Sequence, residues 1–194
     1  MSFQDKLLDS FIAFEQVIDL DNPIHTYRKN ALNRFESEGF PTKKDELWKY
    51  TSLKSIIQKD YSLSVKSNPN VGLKDIEKYS INDIDSYKIV FVDGVFNPFL
   101  SNTTHDGMDI CVLSAALSKT KYKKTITKYF NKIVPDDQSL ASLNTSYTKE
   151  GAYIHIPKSV LPEDPVQILH FSSGKNKPLW LQPRNIILVE ENAR

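Results

Sequence analysis

Two histidines, His155 in AYIHIP and His170 in VQILHF, sit inside short β-type runs, where an imidazole could ligate a metal or move a proton. Neither has a cysteine or an acid at ligand spacing in the sequence, so the stronger expectation is an ordinary strand residue on each of two alternating faces. His25, near a helix start, and His105, in a loop, show no partner in the sequence. The single cysteine, Cys111, excludes an internal disulfide, and one thiol cannot by itself hold an iron–sulfur cluster or a structural zinc.

The acids and lysines around Trp48 carry no nucleophile, metal cluster or phosphate cradle beside them. There are six glycines, with no GxGxxG, GxxxxGK or GxSxG among them. The reading is therefore of no catalytic, cofactor-binding or metal-binding residue in the chain. The lysine-rich stretch 119–132, KTKYKKTITKYFNK, could bind single-stranded nucleic acid through charge and stacking. Tyr122, Ile126, Tyr129 and Ile133 recur at helical spacing, however, so the aromatic residues are expected toward a core and the lysines toward water.

The bulk properties agree. The chain has 194 residues, 40% hydrophobic and 25% charged, with a formal net charge of +1. That is ordinary for a globular protein and gives no global field for nucleic acid or an acidic membrane. Of 25 basic residues only Arg28, Arg34, Arg184 and Arg194 are arginine, the side chain that grips phosphate with two parallel bonds. No apolar run is long enough to span a bilayer, and MSFQDKLLDSF lacks the form of a secretory signal. A cytoplasmic protein with no membrane and no nucleic-acid partner is expected.

The elements that would carry these residues fall into two kinds. Phe3, Leu7, Phe11, Phe14 and Ile18 make an apolar helical stripe, which Ser2 and Asp5 cap and Asn22-Pro23 ends. A second helix over 24–38 carries Ile24, Tyr27, Ala31, Leu32 and Phe35 and stops at Gly39. Pro41 bars continuation, and Thr42 with Asp45 starts a short third helix holding Leu47 and Trp48. Trp48 and Tyr50 are expected to pack this helical part against the rest of the subunit.

Residues 62–72 read as a linker or long loop. A hairpin over Tyr87 to Leu100 turns at Asp93-Gly94, SNTTHDGMD is loop, and 112–133 is helical. From Gly151 the strands AYIHIP, VQILHF and NIILVE follow without a helix between them, as in a meander, a sandwich or the first coils of a β-solenoid. ILVEENAR stops directly after a strand, and the chain is expected to be the front part of a longer protein.

RKNALNRFESEGFPTKKDELWKYTSLKSI, residues 28–56, resembles the N-terminal signature of the SufD family of the Suf iron–sulfur cluster assembly machinery. The matching residues are Ala31, Leu32, Phe35, Gly39, Phe40, Pro41, Thr42, Glu46, Trp48, Lys49, Tyr50, Thr51 and Leu53. IVFVDGVFNPFLS, SLASLNTSYTKEGAYIHIPKSV, PVQILHF and QPRNIILVEENA are similar to later family segments in the same order. The paralogous SufB shares the β-helical core, and the GFPT…WKYT element favours SufD.

The resemblance implies an α+β chain: an N-terminal mostly helical domain followed by the first coils of a right-handed parallel β-helix, truncated. The expected divisions are residues 1–60 as a helical segment, 61–140 as a mixed segment completing the N-terminal domain, and 141–194 as the start of the β-helix core. It further implies a non-catalytic scaffold subunit acting with SufB-like and SufC-like partners, mainly through a missing C-terminal half. In that reading the cluster and the ATP are bound by partner subunits, with no cofactor in this chain. Two readings from other classes stay beside it: a solenoid acyltransferase-like enzyme using His155 or His170, and a nucleic-acid-binding module using residues 119–132. No hexapeptide repeat of the acyltransferase kind is visible.

Overall fold

A computed structural model describes residues 1–63, 70–105, 107–135, 138–174 and 177–194. The loop expected over 62–72 lies outside the described residues for positions 64–69. Two helices open the chain, α1 (Phe3–Glu15) and α2 (His25–Glu38). The capping box at the start of α1 forms as its residue types require, with the Ser2 hydroxyl accepting from the Asp5 N–H and the Asp5 carboxylate accepting from the Ser2 N–H. Phe3, Leu7 and Phe11 are buried as the stripe demands, but the helix ends at Glu15, and Ile18 lies beyond it. Gly39 closes α2 with φ at 69°, its N–H returning to the Phe35 carbonyl.

The Thr42–Asp45 start produces a single 3-10 turn, Glu46–Trp48, rather than a full helix. Short helices α3 (Lys54–Ile57) and α4 (Leu73–Glu77) lead to strand β1 (Tyr87–Val92) and its hairpin partner β2 (Val95–Phe96). Asp93 and Gly94, with φ at 53° and 77°, make the turn that matches strand twist. The expected loop SNTTHDGMD gives way at Asp109 to a strand the sequence did not announce, β3 (Asp109–Val112). The expected helix over 112–133 divides into α5 (Leu113–Ser118) and α6 (Thr120–Tyr129), because Lys119 takes an extended conformation between them. After α7 (Ser139–Ser146) come β4 (Ala152–Ile156), β5 (Val166–Phe171) and β6 (Ile186–Val189), at the expected positions.

The strands form two three-stranded sheets, ordered β2-β1-β5 and β3-β4-β6. Successive strands β4, β5 and β6 alternate between them, so that β5 lies parallel to β1 and β6 parallel to β4, with Tyr153 opposite Ile186. Alternation along each strand explains the layers. Ile89 and Phe91 of β1 meet Ile110 of β3 and Ala152 and Ile154 of β4 between the sheets. Val90 and Val92 point the other way, onto Ile76 of α4 and Leu100. On the far side of the second sheet, Tyr153 packs with Ile24, Leu113, Leu117, Tyr122, Ile126 and Phe130. A fourth cluster joins α1, α2 and α7 through Phe3, Leu7, Phe35 and Leu143.

Candidate functional site

The two sheets are open along one side. β5 ends the first sheet and β6 ends the second, and among the described residues no strand pairs with their outer edges. Leu188 and Ile186 of β6 turn toward the helices. By alternation Ile187 and Val189 face the space between the sheets, yet they are 56% and 53% exposed. Inward-facing branched residues left in water mark a core that stops short at this edge. On β5 the ring of His170 lies flat on Phe91, with centroids 4.8 Å apart, at the same opening. Desolvation lowers its pKa, with a hydrogen bond to Asn185 opposing, so His170 is a neutral wall residue at ordinary pH.

His155 is placed differently from His170 and from its sequence reading. It projects from β4 toward α6, its Nδ1 3.3 Å from Asp109 Oδ2 and its Nε2 3.0 Å from Glu190 Oε1. Lys121 Nζ also reaches Asp109 Oδ2, at 3.0 Å. Burial alone would raise the Asp109 carboxyl, but hydrogen bonds from Tyr122, Lys121 and His155 outweigh it and hold the group below the usual carboxylate range. Glu190 is likewise lowered, first by His155 and then by the Lys158 N–H. Sequence spacing hid these partners because they arrive from β3 and from the end of β6, 46 positions before and 35 after. The cluster bolts the edge strand β6 to β3 and α6. Among the described residues no group of three or more His, Cys, Asp or Glu is arranged to hold a metal ion.

The remaining candidates disperse. His25 Nε2 lies 3.1 Å from Glu15 Oε1, and His105 meets the edge of the Tyr87 ring at 4.7 Å, so both have partners that the sequence did not show. Cys111 is half-buried, and desolvation pushes its thiol pKa up, away from the reactive thiolate. Arg28 is buried, donating from Nε to the Thr148 carbonyl at 2.8 Å, and Arg184 donates to Asn144. Neither is spread on the surface to grip an anion. Trp48 and Tyr50 do not pack the helical part as expected: Tyr50 is 91% exposed, Leu47 beside it 80%, and Trp48 is only partly covered. A single 3-10 turn is too short to seat all three against a neighbour.

A cavity of about 390 Å³ lies between α1, the β1–β2 turn and the approach to β6, walled largely by Phe14, Val17, Val95, Trp180, Leu181 and Pro183. Its wall is mainly apolar, with Ser10, Asp93, Lys149, Glu150 and Gln182 among the residues that line it. No helix among the described residues is long and apolar enough to cross a membrane.

Comparison with known proteins bears on this arrangement. Residues 1–168 match the family model described as the SufBD protein N-terminal region. An iron–sulfur cluster assembly SufBD family protein of Synechocystis sp. is 25% identical over 174 residues, covering 90% of this chain and 38% of that protein. A second protein of that organism with the same family description is 29% identical over 111 residues, covering 54% of this chain and 22% of its own length. The chain thus spans well under half the length of the curated relatives it matches.

Proposed function

The chain belongs to the SufBD family through its N-terminal region, and on that premise we propose that it serves iron–sulfur cluster assembly as part of a SufD-like scaffold subunit. The scaffold is not itself a catalyst. It works with a SufB-like subunit and a SufC-like ATPase, which bind the cluster and the nucleotide, and it does so in the cytoplasm. Residues 1–60 are its helical segment, 61–140 complete the N-terminal domain, and 141–194 begin a right-handed parallel β-helix.

One observation carries this reading: β4, β5 and β6 alternate between two facing sheets, and the last rung leaves Ile187 and Val189 bare. Parallel strands stacked rung upon rung are how a solenoid grows, each turn burying the face that its predecessor leaves open. In a protein of the relatives' length the next rungs would lie on β5 and β6, and the partner-binding surfaces would lie beyond them. The buried Arg28 and the half-buried Cys111 thiol, its pKa pushed up by burial, fit a part that supports rather than reacts.

Co-purification tests the proposal. Expressed with a SufB-like subunit and a SufC-like ATPase, a full-length version should retain both on a tag, whereas the 194-residue chain should lose the ATPase. Tight retention of the ATPase by the short form would place docking in this region and overturn the assignment of partners. Loss of both partners by the full-length version would remove the scaffold reading.

A further inference from the structure

The lysines of α6 are not accounted for by the fold or by the open strand edge. Residues 119–132 contain Lys119, Lys121, Lys123, Lys124, Lys128 and Lys132 and no acid. Since the whole chain carries a formal charge of +1, this stretch concentrates a positive field that the rest of the molecule offsets elsewhere. All six lysines are exposed, and among the described residues Lys121 alone of the six has a carboxylate partner, Asp109. Lys119, Lys128 and Lys132 lie over the rings of Tyr122, Tyr129 and Tyr27 at 5.8, 4.8 and 5.6 Å, contacts that leave the ammonium groups charged.

Helix energetics work against this arrangement. Lys124 and Lys128 are four apart, and Lys121 and Lys124 three apart, so like charges face one another along the helix. Lys119, Lys121 and Lys123 crowd the N-terminal end, where the helix dipole is already positive. A merely solvated face would mix signs. The apolar half of α6 is spent on the core through Tyr122 and Ile126, so the helix has no free apolar face to insert in a membrane. The arrangement is also poor for nucleic acid: Tyr122 and Phe130 are buried, leaving Tyr129 as the helix's exposed ring for stacking, and residues 119–132 hold no arginine. Tyr129 and, just past the helix end, Ile133 at 86% exposure add a small apolar contact beside the charges.

We propose that the exposed face of α6, with Tyr129 and Ile133 at its end, docks an acidic surface of a partner protein. Charge complementarity identifies the occupant: a polypeptide presenting Asp and Glu side chains to the lysines and an apolar side chain to Tyr129 and Ile133. Point-like ammonium groups on flexible stems suit scattered carboxylates on a protein. Such a contact steers encounter and weakens as salt is added. It is independent of the scaffold assignment and of the open strand edge.

Fluorescence anisotropy with a labelled decaglutamate peptide ending in Leu-Tyr tests it, run beside a labelled thymidine oligonucleotide and vesicles containing one-third anionic lipid. The protein should bind the peptide at low salt, more tightly than the oligonucleotide or the vesicles, and the affinity should fall at least tenfold between 20 and 150 mM salt (about one decade for a few released counterions). Lys119→Gln/Lys123→Gln/Lys124→Gln/Lys128→Gln should weaken peptide binding by about tenfold or more, that is roughly 1.4 kcal/mol. These side chains are exposed, and circular dichroism of this variant should show an intact fold. The control Lys43→Gln/Lys44→Gln/Lys54→Gln/Lys59→Gln, which removes the same charge from another exposed stretch, should change it less than twofold. Equal loss in both variants, tighter binding of the oligonucleotide or the vesicles, or no peptide binding at low salt would overturn the proposal.

Discussion

At the scale of the residue, His155 is the side chain whose position means most. In the sequence it is one of two strand histidines without a neighbour; in the fold its two ring nitrogens lie against Asp109 and Glu190 and tie β6 to β3. Removing it as His155→Ala should destabilise the chain by about 1–3 kcal/mol in urea unfolding, the range for a hydrogen bond to a charged group. The acid dependence follows from the same contacts. Asp109 has a folded pKa depressed below that of an ordinary aspartate, so its contribution is fully present above the ordinary value and is lost as pH falls through the folded one. Between pH 5 and pH 3 the wild type should therefore lose more stability than Asp109→Asn, read from urea midpoints across that window. An equal loss would mean that the carboxylate is not held by its three donors. Tyr147 makes a second such tie, its hydroxyl bonded to the Leu7 carbonyl and to Ser10, with burial raising its pKa to about 12. Tyr147→Phe should cost roughly 1 kcal/mol.

At the scale of the element, the sequence was legible wherever a period ran long enough or a stop was unambiguous. Gly39, Asp93-Gly94 and the runs AYIHI, VQILHF and IILV each carry their own local cause, and each became the expected element. What stayed hidden depended on distant partners. β3 is a four-residue strand whose pairing with β4 crosses α5, α6 and α7, and nothing local separates Asp109–Val112 from a loop. Tyr129 and Ile133 were expected in the core because their spacing continued that of Tyr122 and Ile126. α6 ends at Tyr129, however, and Phe130 takes the buried place instead. The exposed Tyr50 and Leu47 show the same limit: an amphipathic side chain states that it can pack, not that a surface is there to receive it.

One close approach at this scale gives a sharp prediction. A Cβ on Gly151 would stand 2.0 Å from the Arg184 carbonyl oxygen, where β4 begins beside the approach to β6. Gly151→Ala should cost about 1–3 kcal/mol and loosen β6 before the rest of the fold, seen as faster amide exchange at Ile186 to Val189.

At the scale of the whole molecule, the account rests on the side where the two sheets stop. Among the described residues no group of three or more His, Cys, Asp or Glu is arranged to hold a metal, so the proposed function rests on the open edge of the two sheets and on the SufBD family to which the chain belongs. Ile187 and Val189 distinguish a true surface from an unfinished core. Ile187→Thr/Val189→Thr should change the stability of the 194-residue chain by less than about 0.5 kcal/mol, as surface substitutions do. In a protein of the relatives' length the pair should cost about 2–4 kcal/mol, because both side chains would then lie under the next rung.

The most direct measurement is hydrogen exchange of β5 and β6 in the 194-residue chain and in a full-length version, under identical conditions. The amides that point away from β1 and β4 should exchange quickly in the short chain and at least a hundredfold more slowly in the long one, as each gains a strand partner. The same rapid exchange in both would show that this edge is an ordinary surface and that no further coil is built upon it.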